Sequence, residues 1–255
     1  MSPKLKELFK RNKTRGTKYF PIENCPKKLN IGCGFDKKSG FLNVDIDPSC
    51  NPDVLLDRDG SLEHLPRNYF EYILARDVLE HFPRSESLRN LLLWNELLTF
   101  DGNLKIVTTD ILSVAAKMNS KKEFAEHYGW TICLFGNQVQ HGDFHHTGFT
   151  DITLEVMLSA AGFEVVSKDF IDEWCFDWTM KKTESWQAFL KEHEKSSDLE
   201  FLKNTYEQVF SRTLDQQGKT HFLSLLKQGR SRRIIYLELA SCPEALFVRA
   251  RQLGK

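Results

Sequence analysis

Two glycines and a carboxylate, close together near the start of the chain, could bind a nucleoside. Gly32 and Gly34 end the run LNIGCG, and Asp45 ends the next apolar run, FLNVD. Glycine has no Cβ, so backbone in such a turn can approach a ligand and can adopt a positive φ. A carboxylate at the end of the following strand can accept both hydroxyls of a ribose. These residues predict an adenosine-type ligand, although a tight turn without a ligand would give the same sequence.

The spacing between these residues indicates which adenosine-type ligand fits. Only residues 35–40 separate the glycine turn from the next strand, where a dinucleotide-binding fold has a full helix that holds the pyrophosphate. Asp45 also lies well short of the roughly 20 residues that separate glycines and carboxylate in that fold. We therefore expect a cofactor that has ribose and adenine but no phosphate. S-adenosylmethionine is such a molecule.

Alternating apolar runs and helical patterns indicate the elements that position these residues. Further strands are predicted within 51–57, 70–75 and 103–108, and regularly spaced leucines predict a helix over 88–98. Strands that alternate with helices form a largely parallel sheet between two helical layers. Ligands of such sheets bind beyond the carboxyl ends of the strands. The residues expected at that edge are Gly34, Asp45, Asp57, Asp77 and Asp110.

The order of these segments resembles the class I S-adenosylmethionine-dependent methyltransferases, particularly the small-substrate group called type 11. The matching segments are LNIGCG, NVDID, DVLLD, ARDVLEHFP and LKIVTTD, which together span residues 28–110. The fold that this resemblance implies is α/β, a Rossmann-like methyltransferase sheet with helices on both faces. It also implies an enzyme that transfers a methyl group from S-adenosylmethionine.

The resemblance further implies roles for individual positions. Asp45 would hold the ribose hydroxyls, Asp57 with Arg58 would lie near the adenine amino group, and Arg76 with Asp77 would line the floor below the sulfonium. Strand-end carboxylates can instead cap a following helix or face water, and that alternative stays open for Asp45 and Asp57. The full set of cofactor-binding residues that it implies is Gly32, Cys33, Gly34, Asp45, Ile46, Asp57, Arg58, Arg76 and Asp77.

Methyl transfer to an alcohol needs an aligned acceptor and benefits from removal of the acceptor's proton. His81, behind the fourth strand, and His145, on a glycine-rich loop that covers the same edge, are the candidate bases, with Asp110 third. His81 could instead close the first turn of a helix that begins near Pro83. His145 could equally be a hydrogen-bonded residue of a structural loop.

The glycine-rich loop also raises the question of a metal. His141, His145 and His146 fall within six residues, and histidine-rich ligation of zinc would be chemically reasonable. We predict no metal, because methyl transfers of this kind generally need none.

Composition excludes some classes of partner. Thirty-five basic and thirty-five acidic residues give zero net charge, so nothing indicates a nucleic-acid substrate. The basic run Lys4–Lys18 could contact a phosphate-bearing substrate or a membrane surface, but we expect a solvated face or a frayed terminus. No apolar run approaches the ~20 residues that span a bilayer, and no signal peptide opens the chain. Six cysteines without CxxC spacing suit a reducing compartment, so we expect a cytoplasmic protein.

The C-terminal segment LKNTYEQVF…CPEALF resembles a small helical module of unassigned function. Such modules occur beside methyltransferases and glycosyltransferases of bacterial envelope-polysaccharide clusters. We predict an S-adenosylmethionine-binding domain over 1–182, a helical linker over 183–197 and the helical module over 198–255, whose third helix is closed by Ser241–Glu244. The association suggests a sugar or glycan acceptor, nucleotide-linked or lipid-linked, and a protein partner for the module.

The expected activity is O-methylation of a sugar or glycan intermediate of bacterial surface polysaccharide. Two alternatives stay open. One is a methyltransferase that acts on a small metabolite other than a sugar, and the other is a catalytically silent domain that acts as a scaffold. The intact Gly32, Gly34 and Asp45 argue against a silent domain.

Overall fold

The computed structural model describes residues 24–120, 122–139 and 142–255 of the protein. The basic run Lys4–Lys18 and His141 therefore lie outside the described residues. Within the described ranges, no helix combines the length and the apolar character that crossing a bilayer requires.

A seven-stranded sheet lies at the centre of the described chain, in the spatial order β3-β2-β1-β4-β5-β7-β6. Its pairings are parallel except those of β7, which runs antiparallel between β5 and β6. The predicted α/β architecture with a largely parallel sheet is confirmed. The strands are β1 Lys28–Ile31, β2 Phe41–Asp45, β3 Val54–Leu55, β4 Phe70–Arg76, β5 Leu98–Thr109, β6 Phe163–Ile171 and β7 Cys175–Lys182.

Helices follow the strands in two groups. Four lie in the connections of the sheet: α1 Arg84–Leu97, α2 Ile111–Ser120, α3 Phe124–Phe135 and α4 Asp151–Ala160. Five follow the last strand: α5 Trp186–Glu192, α6 Asp198–Phe210, α7 Gln216–Lys227, α8 Arg232–Ala240 and α9 Pro243–Gln252. Thr150 forms a capping box with Thr153 at the start of α4.

A polar network closes the short connection between β1 and β2, where many α/β folds have a helix. The side chain of Asn30 donates to Asn43 Oδ1 at 3.0 Å, and Asn43 Nδ2 donates to Asp53 Oδ2 at 2.8 Å. The Lys38 backbone N–H also donates to Asn43 Oδ1, at 2.7 Å. Because both asparagines are buried, these bonds compensate for the loss of water around the two amides. The connection therefore packs on the sheet through hydrogen bonds.

The C-terminal helices share one hydrophobic core with the sheet domain. Trp186 is buried, stacks on Tyr236 of α8 with ring centroids 5.5 Å apart, and donates its indole N–H to the Leu92 carbonyl of α1 at 3.0 Å. The prediction that Ser241–Glu244 closes the third helix of the module agrees with α8, which ends at Ala240 with Ser241 as its C-cap; a further helix, α9, which was not predicted, then follows. Pro243 occupies the first turn of α9, where a missing N–H costs no hydrogen bond.

A buried ion pair fastens α8 to α1. The Arg233 guanidinium donates to both carboxylate oxygens of Glu96, at 2.9 and 2.6 Å, and Glu96 is 3% exposed. Arg67 Nε lies 3.2 Å from the same carboxylate, and Glu63 contacts Arg233 from the solvent side. A bidentate pair of this kind fixes the position of both partners.

We expect Arg233→Ala to lower the free energy of unfolding by about 2–4 kcal/mol, because Glu96 would keep its buried charge with only Arg67 beside it. Urea unfolding monitored by circular dichroism measures the loss. Arg230→Ala is the matched control. It breaks an exposed pair with Glu238 at 3.3 Å and should cost less than about 1 kcal/mol. Equal losses in the two variants would contradict the anchoring role of Arg233.

Candidate active site

A cavity of about 400 Å³ lies at the carboxyl ends of β1, β2 and β4. The structure brings several of the predicted cofactor residues together in its wall: Gly32, Gly34, Asp45, Ile46, Arg58 and Asp77. Residues of the loop 142–146 complete the wall. A volume of this size is within the range of sites that enclose small ligands.

The turn after β1 requires glycine at its first position. Gly32 has φ +61°, and a Cβ there would lie 2.5 Å from Val78 Cγ2, which is closer than two carbons can approach. Gly34 also has a positive φ, +48°, but a Cβ there would meet no atom within 4 Å. Gly32 is therefore needed both for its backbone conformation and for the close packing on Val78, whereas Gly34 is needed for its backbone conformation alone.

Asp45 lies at the centre of this edge and is nearly buried. Its Oδ2 accepts the Gly34 N–H and its Oδ1 accepts the Asp47 N–H, each at 2.8 Å. A carboxylate has about four lone-pair sites, so each oxygen can accept one further hydrogen bond. Since Asp45 also lines the cavity, it can bind a pair of hydroxyls while it holds the two backbone turns.

Three predicted cofactor residues do not line the cavity: Cys33, Asp57 and Arg76. The Cys33 N–H donates to the Val44 carbonyl at 3.0 Å, so its amide belongs to the sheet edge. Burial, together with the nearby Asp45 carboxylate, raises the pKa of the Cys33 thiol to about 12, which excludes a nucleophilic thiolate. Beyond β3 the wall is formed by Arg58 and by Asp59, which the sequence analysis did not single out.

Two carboxyl groups after β4 differ in their surroundings. Asp77 faces the cavity from a left-handed backbone conformation, φ +51°, and burial raises its pKa although Arg76 lowers it. Glu80 lies behind the cavity, is 2% exposed and accepts a hydrogen bond from Thr108 Oγ1 at 2.9 Å. Burial raises the Glu80 pKa to about 8, so at neutral pH it is mostly protonated. Sequence reasoning missed Glu80, because nothing in the LEH segment distinguishes a buried glutamate from an exposed one.

His81 is the candidate base that lies in the cavity wall. It belongs to a 3-10 turn, Leu79–His81, and α1 begins only at Arg84, so His81 does not close the first turn of that helix. Its Nδ1 lies 3.1 Å from the Phe144 carbonyl. A carbonyl can only accept, so Nδ1 carries a proton and Nε2 is the basic nitrogen of the neutral ring. Burial lowers the His81 pKa, which favours that neutral form.

His145 does not line the cavity but packs against His81. The two rings meet edge to face with centroids 4.7 Å apart, and His145 Nδ1 lies 3.0 Å from the Cys133 carbonyl at the end of α3. Burial lowers its pKa, and His81 adds to this effect. His146, which the sequence analysis considered only as a metal ligand, lines the cavity beside Phe144.

Asp110 acts in the structure as a helix cap and not as a base. Its carboxylate accepts the Leu112 and Ser113 N–H groups at 3.1 and 3.2 Å and the Ser113 hydroxyl at 2.6 Å. It therefore caps the start of α2, and it is not among the residues that line the cavity. Across the described ranges, no group of three or more histidine, cysteine, aspartate or glutamate residues could hold a metal ion.

The C-terminal part of the chain matches one family model. Residues 183–247 match the family described as "Domain of unknown function (DUF4214)", a range that begins before α5 and ends within α9. No curated protein matches the chain.

Solved structures resemble the chain at low sequence identity. PH0226 from Pyrococcus horikoshii OT3 is 13% identical over 71% of this chain and 92% of its own, with a TM-score of 0.44. A SAM dependent methyltransferase from Archaeoglobus fulgidus is 16% identical over 71% and 95%, with a TM-score of 0.44. The 1,6-didemethyltoxoflavin-N1-methyltransferase of Burkholderia thailandensis, solved with its substrate and S-adenosylhomocysteine, is 16% identical over 62% and 71%, with a TM-score of 0.42. Similarity at this level concerns the fold alone.

The raised pKa of Glu80 predicts a pH dependence of stability. The ordinary glutamate pKa is 4.5, so between that pH and about 8 the folded protein holds a proton that the unfolded chain has released. Raising the pH therefore favours unfolding, by at most about 1.4 kcal/mol per pH unit for one proton. Urea unfolding between pH 6.5 and 8 should show this decline, because below pH 6.5 the lowered pKa values of His81 and His145 change the stability in the opposite direction.

Glu80→Gln should flatten that decline, because the amide keeps the shape of the protonated carboxyl and does not ionise. Glu164→Gln, on the exposed side of β6, is the control and should leave the wild-type pH dependence unchanged. A decline of the same slope in Glu80→Gln would show that other groups cause it.

Proposed function

We propose that this protein is an S-adenosylmethionine-dependent methyltransferase whose acceptor is a hydroxyl group of a sugar or glycan intermediate of bacterial surface polysaccharide. The observation that carries the cofactor assignment is the cavity wall formed by Gly32, Gly34 and Asp45. This wall presents backbone groups and a carboxylate that can accept hydrogen bonds from ribose hydroxyls. The connection 35–40 contains no helix whose N-terminus could bind a pyrophosphate.

The residues present fit the parts of such a cofactor. Asp45 has free lone pairs for the ribose hydroxyls, and Arg58 with Asp59 would face the adenine. Asp77 would place a carboxylate near the sulfonium, where negative charge stabilises a bound cation. When bound, the cofactor supplies a methyl group that its positive sulfur already activates.

The chain's own residues would align the acceptor and take up its proton. His81 Nε2 would receive the hydroxyl proton of the acceptor, while the Phe144 carbonyl and the His145 ring keep the His81 ring in place. General-base assistance of this kind typically contributes ~10²–10⁴ in rate. His145 does not touch the cavity wall, so we assign it a positioning role.

A sugar acceptor suits the outer part of the cavity. Phe144 and His146 present nearly parallel rings there, 6.1 Å apart and inclined by 13°, against which the C–H face of a sugar ring could pack. The Glu86 carboxylate lies in the same wall and could accept hydrogen bonds from hydroxyl groups. The resemblance of the C-terminal module to modules of envelope-polysaccharide proteins supports the same acceptor. The six cysteines of the chain are free thiols, which suits a cytoplasmic location.

We expect Asp45→Asn to weaken S-adenosylmethionine binding by about 10–100-fold, because the ribose would lose a charged acceptor. Isothermal titration calorimetry measures the change, and circular dichroism checks that the fold is intact. Asp36→Asn, in the exposed connection after β1, is the control and should bind as the wild type does. Absence of binding heat and of a thermal shift in the wild type would overturn the cofactor assignment and favour a scaffold.

We expect His81→Ala to lower kcat by about 10²–10⁴ while S-adenosylmethionine still binds. Transfer of radiolabelled methyl is measured on the best acceptor of a panel of alkyl glycosides, nucleotide sugars and small hydroxylated acceptors. His145→Ala should lower kcat less, and the exposed His221→Ala should have no effect. In the wild type, the midpoint of the rise of kcat with pH should lie below pH 6.5, because burial lowers the His81 pKa. Unchanged kcat in His81→Ala would remove its assignment as the base.

A further inference from the structure

Helix α3 exposes an apolar stripe to solvent. Phe124, Tyr128 and Phe135 are separated by four and seven residues, which places them on one side of the helix. Their exposed fractions are 81%, 60% and 55%. No residue of α3 is buried, whereas a surface helix usually turns its apolar side toward the core. We call these three side chains the α3 stripe, and among the described residues nothing covers it.

The α3 stripe ends at the segment that borders the cavity. The His145 N–H donates to the Phe135 carbonyl at 3.1 Å, and a Cβ on Gly136, next along the chain, would lie 1.7 Å from the Asp143 carbonyl oxygen. The neighbouring Phe144 is 39% exposed and lines the cavity. The end of α3 is therefore in contact with the loop 142–146, and the stripe ends beside a segment whose Phe144 lines the cavity.

The charged side chains of the cavity wall restrict which chemical groups of an acceptor the cavity can bind. Arg58 is the only lysine or arginine among its described lining residues, and it lies at the end proposed for adenine. Asp45, Asp59 and Asp77 likewise line the parts proposed for the cofactor, so Glu86 is the acidic residue of the outer wall, beside Phe144 and His146. A phosphate or carboxylate on the acceptor would be repelled by Glu86, and the described residues of the outer wall include no lysine or arginine to compensate. The wall is therefore complementary to an uncharged, hydroxylated group.

We propose, on the basis of the function proposed above, that the acceptor is an amphiphile with an uncharged hydroxylated head group on a long alkyl or isoprenoid chain. The head group occupies the cavity beside His81, and the chain lies along the α3 stripe. From Phe124 to Phe135 the stripe is about 16 Å long at 1.5 Å per residue, which is close to the length of an extended dodecyl chain. Burial of such a chain against aromatic side chains supplies binding energy through the hydrophobic effect.

The test uses n-dodecyl β-D-maltoside below its critical micelle concentration, titrated calorimetrically into the full chain. We expect saturable binding of this probe and none of maltose. Decyl maltoside should bind about tenfold more weakly than dodecyl maltoside, because it lacks two CH₂ groups at about 0.8 kcal/mol each.

The triple variant Phe124→Ser, Tyr128→Ser and Phe135→Ser should bind dodecyl maltoside at least tenfold more weakly than the wild type. The substituted side chains are exposed, so the fold should be kept. Phe247→Ser is the matched control, because Phe247 is 68% exposed on α9, and it should bind as the wild type does. Equal binding by the triple variant, or no saturable binding by the wild type, would overturn the inference. A wild-type dimer that becomes a monomer in the triple variant would overturn it as well, since the stripe would then join two copies of the chain.

S-adenosylmethionine titration of the same proteins separates this inference from the proposed function. The wild type and the triple variant should bind the cofactor equally, because none of the substituted residues lines the cavity. Cofactor binding without dodecyl maltoside binding would overturn the inference and leave the proposed function standing. Dodecyl maltoside binding without cofactor binding would overturn the proposed function. The stripe would then not be part of a site for a methyl acceptor.

Discussion

The carboxylate of Asp45 is the interaction on which the cavity edge depends. It accepts one backbone N–H from the turn after β1 and one from the turn after β2, so a single side chain fixes the relative position of two loops. A nearly buried carboxylate is stable only when hydrogen bonds replace its water, and these two amides do so. The same oxygens face the cavity. The group that shapes the edge is therefore also the group best placed to recognise a ligand there.

A second constraint acts behind the cavity, where several ionisable groups lie close together with little water. Burial favours the neutral forms of His81, His145 and Glu80, so most of this cluster adds no charge to the interior. Asp77 faces the open space of the cavity instead. In the proposed function, this arrangement would leave one carboxylate to oppose a bound cation, while the neighbouring histidine would keep a lone pair for proton transfer. Burial raises the Asp77 pKa as well, but the Arg76 charge opposes that effect, so burial and a neighbouring charge together distinguish Asp77 from Glu80.

Much of the sheet and part of the cavity could be predicted from the sequence, because they follow from local patterns. Apolar runs that end in glycine or aspartate predicted β1 and β2, and the lack of room for a helix after Gly34 was already visible in the spacing. Other features depend on contacts between distant segments. Asp110 and Asp45 both follow apolar strands, yet the first caps the next helix and the second faces the cavity. Only the path of the chain after each strand distinguishes them.

The same limit explains what the sequence reasoning missed. The apolar composition of α3 would ordinarily indicate a buried helix, and its exposure becomes visible only once its neighbours are placed. Similarly, Arg76 is the last residue of β4 as Asp45 is of β2, but the alternation of side chains along β4 turns Arg76 away from the cavity. Helix α9 was missed because a serine, a cysteine and a proline together resemble the end of a structure, whereas the proline begins a new one.

The pairing of Arg233 with Glu96 has a consequence for how such a chain can arise. Because Trp186 also packs between α1 and α8, the two halves are joined by a surface specific to both, and no flexible connection separates them. A recombination event that brought the C-terminal helices to another domain would leave the Arg233 guanidinium without its carboxylate and the Trp186 indole N–H without its acceptor. Successful exchange would thus require the recipient to acquire the matching face of α1. Residues of the C-terminal helices and the residues of α1 that they contact must therefore change together in evolution.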